Sequence, residues 1–257
     1  MLLKGVKVVE MAYYIFVPYA AAHLADLGAE VIKLESPAGG DPLRNYHAGT
    51  HHLPFGNYNW VFDLHNRGKK SLALDIRTEK GQEIAHRLIK QTDVFITNFR
   101  APALKRLRMD YDTLSVVNPR LIYAQGSAWG PDGPDKDKGG FDYGAFARSG
   151  MMASFGEEGT PLVQCQPAMG DHIGGFQLFS AIGYALYHRE RTGEGQSVHV
   201  SLYGSLLDAG SFSLQSTLAT GEEVPRKSRR SAGNPLCNSY RDRNGEWFQL
   251  SMKQPDH

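Results

Sequence analysis

The sequence predicts an α/β fold: a large domain on a parallel sheet, residues 1–200, then a linker helix and the start of a smaller second domain, residues 201–257. Three observations predict it. Short runs rich in Val, Ile and Leu alternate with helix-length segments over the first half of the chain, the pattern of a parallel sheet whose strands are buried on both faces. A strand, a helix and a second strand follow one another directly at the N-terminal end, as in a βαβ unit. Beyond Ser127 the pattern breaks in a stretch dense in Gly, Pro and Asp before helices and strands resume.

Taken in order, "GVKVVEM" is a Val-rich run bounded by Gly5 and reads as a buried strand. "PYAAAHLADLG" begins with Pro18 and ends at Gly28, a proline suited to a first helical turn and a glycine suited to a C-terminal cap. "AEVIKLE" is the next strand, and the crossover between the two should be right-handed. The unit recurs as strand "KSLALDI", helix "TEKGQEIAHRLIKQT", strand "DVFITNF", short helices in "APALKRLRM" and "YDTLSVV", and strand "RLIYAQGS". Thr78 and Glu79 supply an N-cap and a first-turn acid for the second long helix. These segments make a Rossmann-like, doubly wound domain. "WGPDGPDKDKGGFDYGAF" is expected to be irregular and long for a loop, which favours a functional role. A helix starts near Asp171 and ends in "HRERTGEG"; "QSVHVSLYG" is a strand, "SLLDAGSFSLQSTLAT" a helix, and "CNSYRDRNGEWFQLSM" a hairpin turning at Asn244-Gly245. A Pro-Asp helix-start signal stands in the final "KQPDH", so more chain is expected beyond His257.

Composition narrows the function. The chain has 257 residues, 28 basic against 27 acidic, and is 41% hydrophobic, enough for a sizeable core. With no basic excess there is no electrostatic footprint for nucleic acid or an anionic membrane surface, and a small ligand is expected instead. No apolar run reaches the roughly 20 residues that span a bilayer. Glu10 interrupts the N-terminal apolar stretch, which therefore reads as strand and helix and not as an export signal. Cys165 and Cys237, far apart, form neither a disulfide framework nor a zinc cluster and fit reduced thiols in a cytoplasmic protein.

No G-x-G-x-x-G follows the first strand, where "AYYIFVP" stands, and no Walker A motif occurs, so ordinary dinucleotide binding is disfavoured. His51-His52 offers no third ligand, and no metal site is expected. Cys165 is a small hydrophobe or a nucleophile; "PRKSRR", residues 225–230, is a solvated loop or a phosphate contact. Asp171, in "GDHIGG", is a helix cap, a nucleophile, or both. A helix N-terminus would keep it ionised and lower its pKa, and Gly174 and Gly175 would admit backbone or a ligand closely.

In register over essentially the whole chain, "LKGVKVVEMA", "HLADLGAEVIKLESPAGGDPLR", "NRGKKSLALDIRTEKG", "DVFITNFR", "YDTLSVVNPRLIYAQGSAWGPDGP", "GFDYGAFARSG", "GDHIGG", "TGEGQSVHVSLYGSLL" and "NGEWFQLSMKQPD" resemble the family III coenzyme A transferases. The nearest resemblance is to the branch acting on 2-hydroxy acids of the phenyllactate type and their enoyl products. The resemblance implies an interlocked homodimer, CoA as co-substrate without a metal, and Asp171 as the catalytic group, carrying first an acyl anhydride and then a CoA thioester. It places Leu74, Arg77, Asn98, Phe99, Arg100 and Arg106 along CoA. Gly174, Gly175, Gly233 and Asn234 become oxyanion donors or a cover over the thioester, and Ile15, Phe16, Phe141 and Asp142 line the substrate pocket; Tyr13, Tyr14 and Phe16 make its apolar or aromatic wall or else are core residues. Ser36 and Ile15 stand where the family often has Arg and Gln. The related racemases carry a His where this chain has Phe141, which cannot accept a proton. An acyl-CoA racemase is therefore the alternative activity, and an inactive CoA-binding fragment the non-enzymatic one.

Overall fold

A computed structural model describes residues 1–45, 58–226 and 228–252. The His51-His52 pair, Lys227 of the basic run and the closing "KQPDH" lie outside the described residues. Six parallel strands form the main sheet: β1 (Lys7–Met11), β2 (Glu30–Glu35), β3 (Lys70–Ala73), β4 (Val94–Thr97), β5 (Ile122–Ser127) and β6 (Gln196–Ser201), in the spatial order β3-β2-β1-β4-β5-β6. This is the doubly wound order, with its reversal between β1 and β4. Val9 registers with Ile32 on one side and Phe95 on the other.

Successive residues of a strand point to opposite faces, and the core divides accordingly. Val8, Val94, Ile96, Ile122 and Ala124 face one apolar cluster, while Val9, Phe95 and Tyr123 face the other. The first cluster is covered by α1 (Phe16–Asp26) and by the long helix α8 (Met169–Thr192). The second is covered by α3 (Glu79–Ile89), α4 (Ala101–Arg106) and α5 (Tyr111–Val117). The expected caps are present: Thr78 accepts from the Gly81 amide, and the Gly193 amide, at φ 82, donates to Arg189 O at 2.7 Å. Asp110 caps α5 in the same way.

The structure departs from the expected element list in four places. α1 begins at Phe16, so Pro18 is third in the helix, where its missing N–H would have been unpaired in any case. A short helix not expected from sequence, α2 (Trp60–Asn66), is capped by Asn59 and buries Val61 and His65. Within the Gly/Pro/Asp stretch α6 (Asp142–Arg148) forms, followed by α7 (Met151–Ser154). The single helix expected over 205–220 is two, α9 (Leu202–Ala209) and α10 (Ser211–Thr220), parted at Gly210. Ser201 ends β6 by capping α9, and Leu202 and Leu206 of α9 join the first core. The hairpin forms separately as β7 (Ser239–Arg241) and β8 (Trp247–Gln249), with Gly245 at φ 87 in its turn.

Candidate active site

Between β5 and the parallel β6, α8 must run back across the sheet, so its N-terminus lies at the carboxyl ends of the strands, where sheets of this topology take ligands. A contact fixes the level: a Cβ on Gly174 would stand 2.8 Å from the ring of Phe16, at the start of α1. Asp171 is third in α8, after Ala168, which occupies the N-cap with φ 65 and offers no side-chain cap. It is not the cap of its helix. Asp142, first in α6, comes against this entrance, its Cβ 2.9 Å from where a Gly170 Cβ would be. Asp142 is 6% exposed. Its pKa is raised by burial despite the opposing pull of the Tyr143, Ala168 and Gly170 amides.

Two carboxyl groups therefore share one helix end, and Asp171 is not the low-pKa group expected from its helix. Burial, and then the Asp142 charge, push it up to about 8. Desolvation and a like charge both disfavour the anion, and here they outweigh the helix end. Cys165 packs at the edge of the first core with its thiol pushed up by burial and by Asp142 and Asp171, the opposite of an activated thiolate.

His172 follows Asp171 and meets His65 of α2, Nε2 to Nε2, at 3.0 Å. His65 Nδ1 lies 2.6 Å from the Val61 carbonyl. A carbonyl only accepts, so His65 carries its proton on Nδ1 and His172 must donate from Nε2. Burial holds both rings neutral-leaning, lowering His172 and bringing His65 down to about 4. This pair ties α2 to the first turn of α8. Sequence reasoning missed it, because neither partner is near the other in the chain.

The expected CoA residues fall into two clefts meeting at Phe99. Leu74, Arg77, Phe99 and Arg106 line one of about 240 Å³ with Tyr13, Leu34 and Ser36. Asn98, Phe99 and Arg100 line another of about 510 Å³, which adds Lys105, Lys136 and Lys138, cations that were not singled out from sequence, and His199, bonded to Ser127 at 2.8 Å. The two lysines of "DKDK" were the available signal. Arg77 pairs with its neighbour Asp75 but stays 69% exposed. Asn98 is already committed: its amide accepts from Tyr13 N at 3.1 Å and donates to Tyr13 O at 2.7 Å.

The remaining expected site residues are spread over several elements. Phe16 is 5% exposed, packed under Gly174 and Gly126 as core and not as pocket wall. Gly174 and Gly175 lie beyond the four unpaired amides of the helix start, so their N–H groups belong to helical bonds. Their missing side chains instead let α1 approach, a Cβ on Gly175 falling 2.7 Å from Phe16 O. Gly233 and Asn234 line a separate hollow with Glu157, Arg229 and Cys237. Ile15 is the N-cap position of α1. Phe141 is 65% exposed, its ring edge-on to Tyr14 at 5.6 Å. Among the described residues no group of three or more His, Cys, Asp or Glu could hold a metal, and no helix is long and apolar enough to cross a membrane.

The family model for CoA-transferase family III matches residues 3–257. The chain is 39% identical to (R)-2-hydroxy-4-methylpentanoate CoA-transferase of Clostridioides difficile over 99% of its own length and 63% of that protein's. It is likewise 39% identical to cinnamoyl-CoA:phenyllactate CoA-transferase of Clostridium sporogenes, over 98% and 62%. A solved CAIB/BAIF family protein from Brucella suis superimposes with a TM-score of 0.87 at 32% identity, over 96% of this chain and 65% of that one. The chain thus spans somewhat under two thirds of the length of these relatives, and it belongs to CoA-transferase family III.

Proposed function

We propose that the protein moves coenzyme A from an acyl-CoA thioester to a free carboxylic acid through Asp171. The observation that carries this reading is a carboxyl group at the open end of α8, on the same edge of the sheet as two adjoining clefts bordered by Arg77, Arg100, Lys105 and Arg106. Those cations suit the phosphates of CoA, and the Phe99 and Leu74 side chains suit an adenine or pantetheine body. Asn98 serves by holding Tyr13.

In the chemistry so proposed, an Asp171 oxygen attacks the thioester carbonyl, the C–S bond breaks, and CoA leaves as thiolate while the acyl group stays on Asp171 as a mixed anhydride. The thiolate then attacks the aspartyl carbonyl, releasing the first acid as its carboxylate and leaving an aspartyl-CoA thioester. An acceptor carboxylate attacks that carbonyl to give a second anhydride and free thiolate. The thiolate takes the acceptor's acyl group, and Asp171 returns as carboxylate. Each tetrahedral stage needs donors for its oxyanion. The relatives' names support 2-hydroxy or enoyl acids as the substrate class.

The division at residue 200, with the second domain beginning at 201, belongs to the same proposal, as does a homodimer. Phe176, Tyr184 and Tyr187 of α8 and Phe212 and Leu218 of α10 are 55–89% exposed, an apolar surface that a second copy would cover; sedimentation of the intact protein as a monomer would remove that part.

The test of the activity is trapping. The intact protein, incubated with an acyl-CoA and then hydroxylamine, should yield an aspartyl hydroxamate at Asp171 by peptide mass spectrometry. Asp171→Ala should abolish transfer while CoA is still retained. Turnover surviving in that variant, or label on another residue, rejects the mechanism; exchange of the substrate's α-hydrogen with deuterated water and no need for an acceptor acid would reveal a racemase.

A further inference from the structure

The loop from β1 to α1, residues 12–15, lies where the strand order reverses. It contains no glycine, yet Tyr14 sits at φ 66, in the left-handed region that side chains other than glycine enter only at a cost. Strain of this kind persists only where the surroundings impose it. Here three side chains from elsewhere in the fold hold three successive residues. Lys33 Nζ donates to Ala12 O at 2.8 Å, Asn98 holds both backbone groups of Tyr13, and Asp41 Oδ1 accepts from Tyr14 N at 3.1 Å and from Leu43 N at 2.9 Å.

Asp41 is fully buried, and its other oxygen forms an ion pair with Lys33 at 2.9 Å; that ammonium also meets Glu10 at 2.6 Å. An ion pair kept only for stability can commonly be replaced by apolar side chains of similar volume. This carboxylate does more, because one of its oxygens reaches past the pair to the amide of the strained residue. The turn it holds sets the exposed Tyr14 ring against Phe141. Phe141 leads directly into Asp142, which lies against Gly170 and faces Asp171.

We propose that Asp41 is a positioning residue for the reaction: by holding the Tyr14 amide it keeps the β1–α1 loop in the left-handed turn that sets Tyr14 against Phe141 at the mouth of the Asp171 site. The proposal rests on Asp171 as the reacting group.

Turnover of the intact protein tests it with two pairs of variants. Tyr14→Gly and Tyr14→Val both delete the ring, but glycine adopts this backbone freely and valine is excluded from it. The valine variant should have a kcat about tenfold below the glycine variant, in line with the sensitivity of such steps to small misplacements, with little change in KM for the CoA donor. Asp41→Asn keeps an acceptor for both amides and Asp41→Ala does not. The asparagine variant should retain more turnover, and adding Tyr14→Gly to Asp41→Ala should recover several-fold. Equal kcat for glycine and valine at position 14, or no recovery in the double variant, would show that Asp41 only supports the fold. If Asp41→Ala does not fold, the Tyr14 pair still decides. Asp171→Asn, assayed alongside, separates the two readings: turnover surviving there rejects Asp171 as the reacting group and leaves the Tyr14 comparison standing for whichever group reacts.

Discussion

Asp171 must be an anion to attack a thioester, yet burial and the Asp142 charge bring its pKa to about 8, so at neutral pH most of the free protein holds it protonated. Because kcat/KM reports the ionisation of free enzyme, it should rise with pH and level off above about 8. Asp142→Asn keeps the side chain's shape and an acceptor oxygen while removing the like charge, so the rising limb should move to lower pH. A limb left in place would show that Asp142 does not govern Asp171. The reading of Asp171 as the reacting group comes only through family resemblance, since Asp before a helix is more often a cap. Its electrostatics were not legible, because burial, and then the charge of Asp142 from α6, raise its pKa, and α6 lay inside a stretch expected to be irregular. Asn98 and Phe16 show the same limit. For each, whether the side chain meets ligand or packs and bonds within the fold is decided by partners on other elements, Tyr13 for one and Gly174 for the other.

At the scale of elements, the crossing of α1 on α8 sets the distance between the β1–α1 loop and Asp171. α1 buries Phe16, Val17, Ala20, Ala21 and Leu24, small and large side chains together, and α8 receives it at Gly174 and Gly175. A methyl group at 175 would press on backbone, Phe16 O at 2.7 Å, whereas one at Gly183 of the same helix meets nothing within 4 Å. Opposite signs follow. Gly175→Ala should destabilise by about 1–3 kcal/mol as overpacking, while Gly183→Ala should stabilise by roughly 0.5–1 kcal/mol through helix propensity. Urea unfolding of both variants reads this, and a loss at 183 as large as that at 175 would refute the packing argument. The strands and long helices were legible because period and capping agree over many residues. The short α2 buries only Val61, His65 and Asn66, too few for a visible period. The break falls at Gly210, where a Cβ would come 3.1 Å from the Met151 side chain.

For the whole molecule, two apolar cores lie on opposite faces of the sheet, and an ionic cluster lies toward the carboxyl ends of β1 and β2, joined by Lys69 and Ser71 at the start of β3. Glu10 pairs with Lys33 and Lys69, each at 2.6 Å; Lys33 pairs with Asp41; and Glu35 takes Arg44 at 2.5 Å and the Ser71 hydroxyl at 2.6 Å. Charges so buried are tolerated only when paired, which makes this cluster the acid-sensitive part of the fold. Burial alone would raise the Glu35 pKa, but the Arg44, Ser71 and Asp41 amide hydrogen bonds overcome it and hold the carboxyl at about 2. Glu10 is lowered as well, the charges of Lys33 and Lys69 outweighing burial. A carboxyl lowered in the folded state contributes stability that is fully present above its unfolded pKa, near 4.5 for glutamate, and is lost as pH falls through the folded value. The urea midpoint should therefore decline as pH drops from about 4.5 toward 2, and Glu35→Gln, less stable at neutral pH, should decline less over that window. Parallel curves for the two proteins would place the acid-labile contacts elsewhere, since only a group that titrates between the folded and unfolded values can bend one curve away from the other.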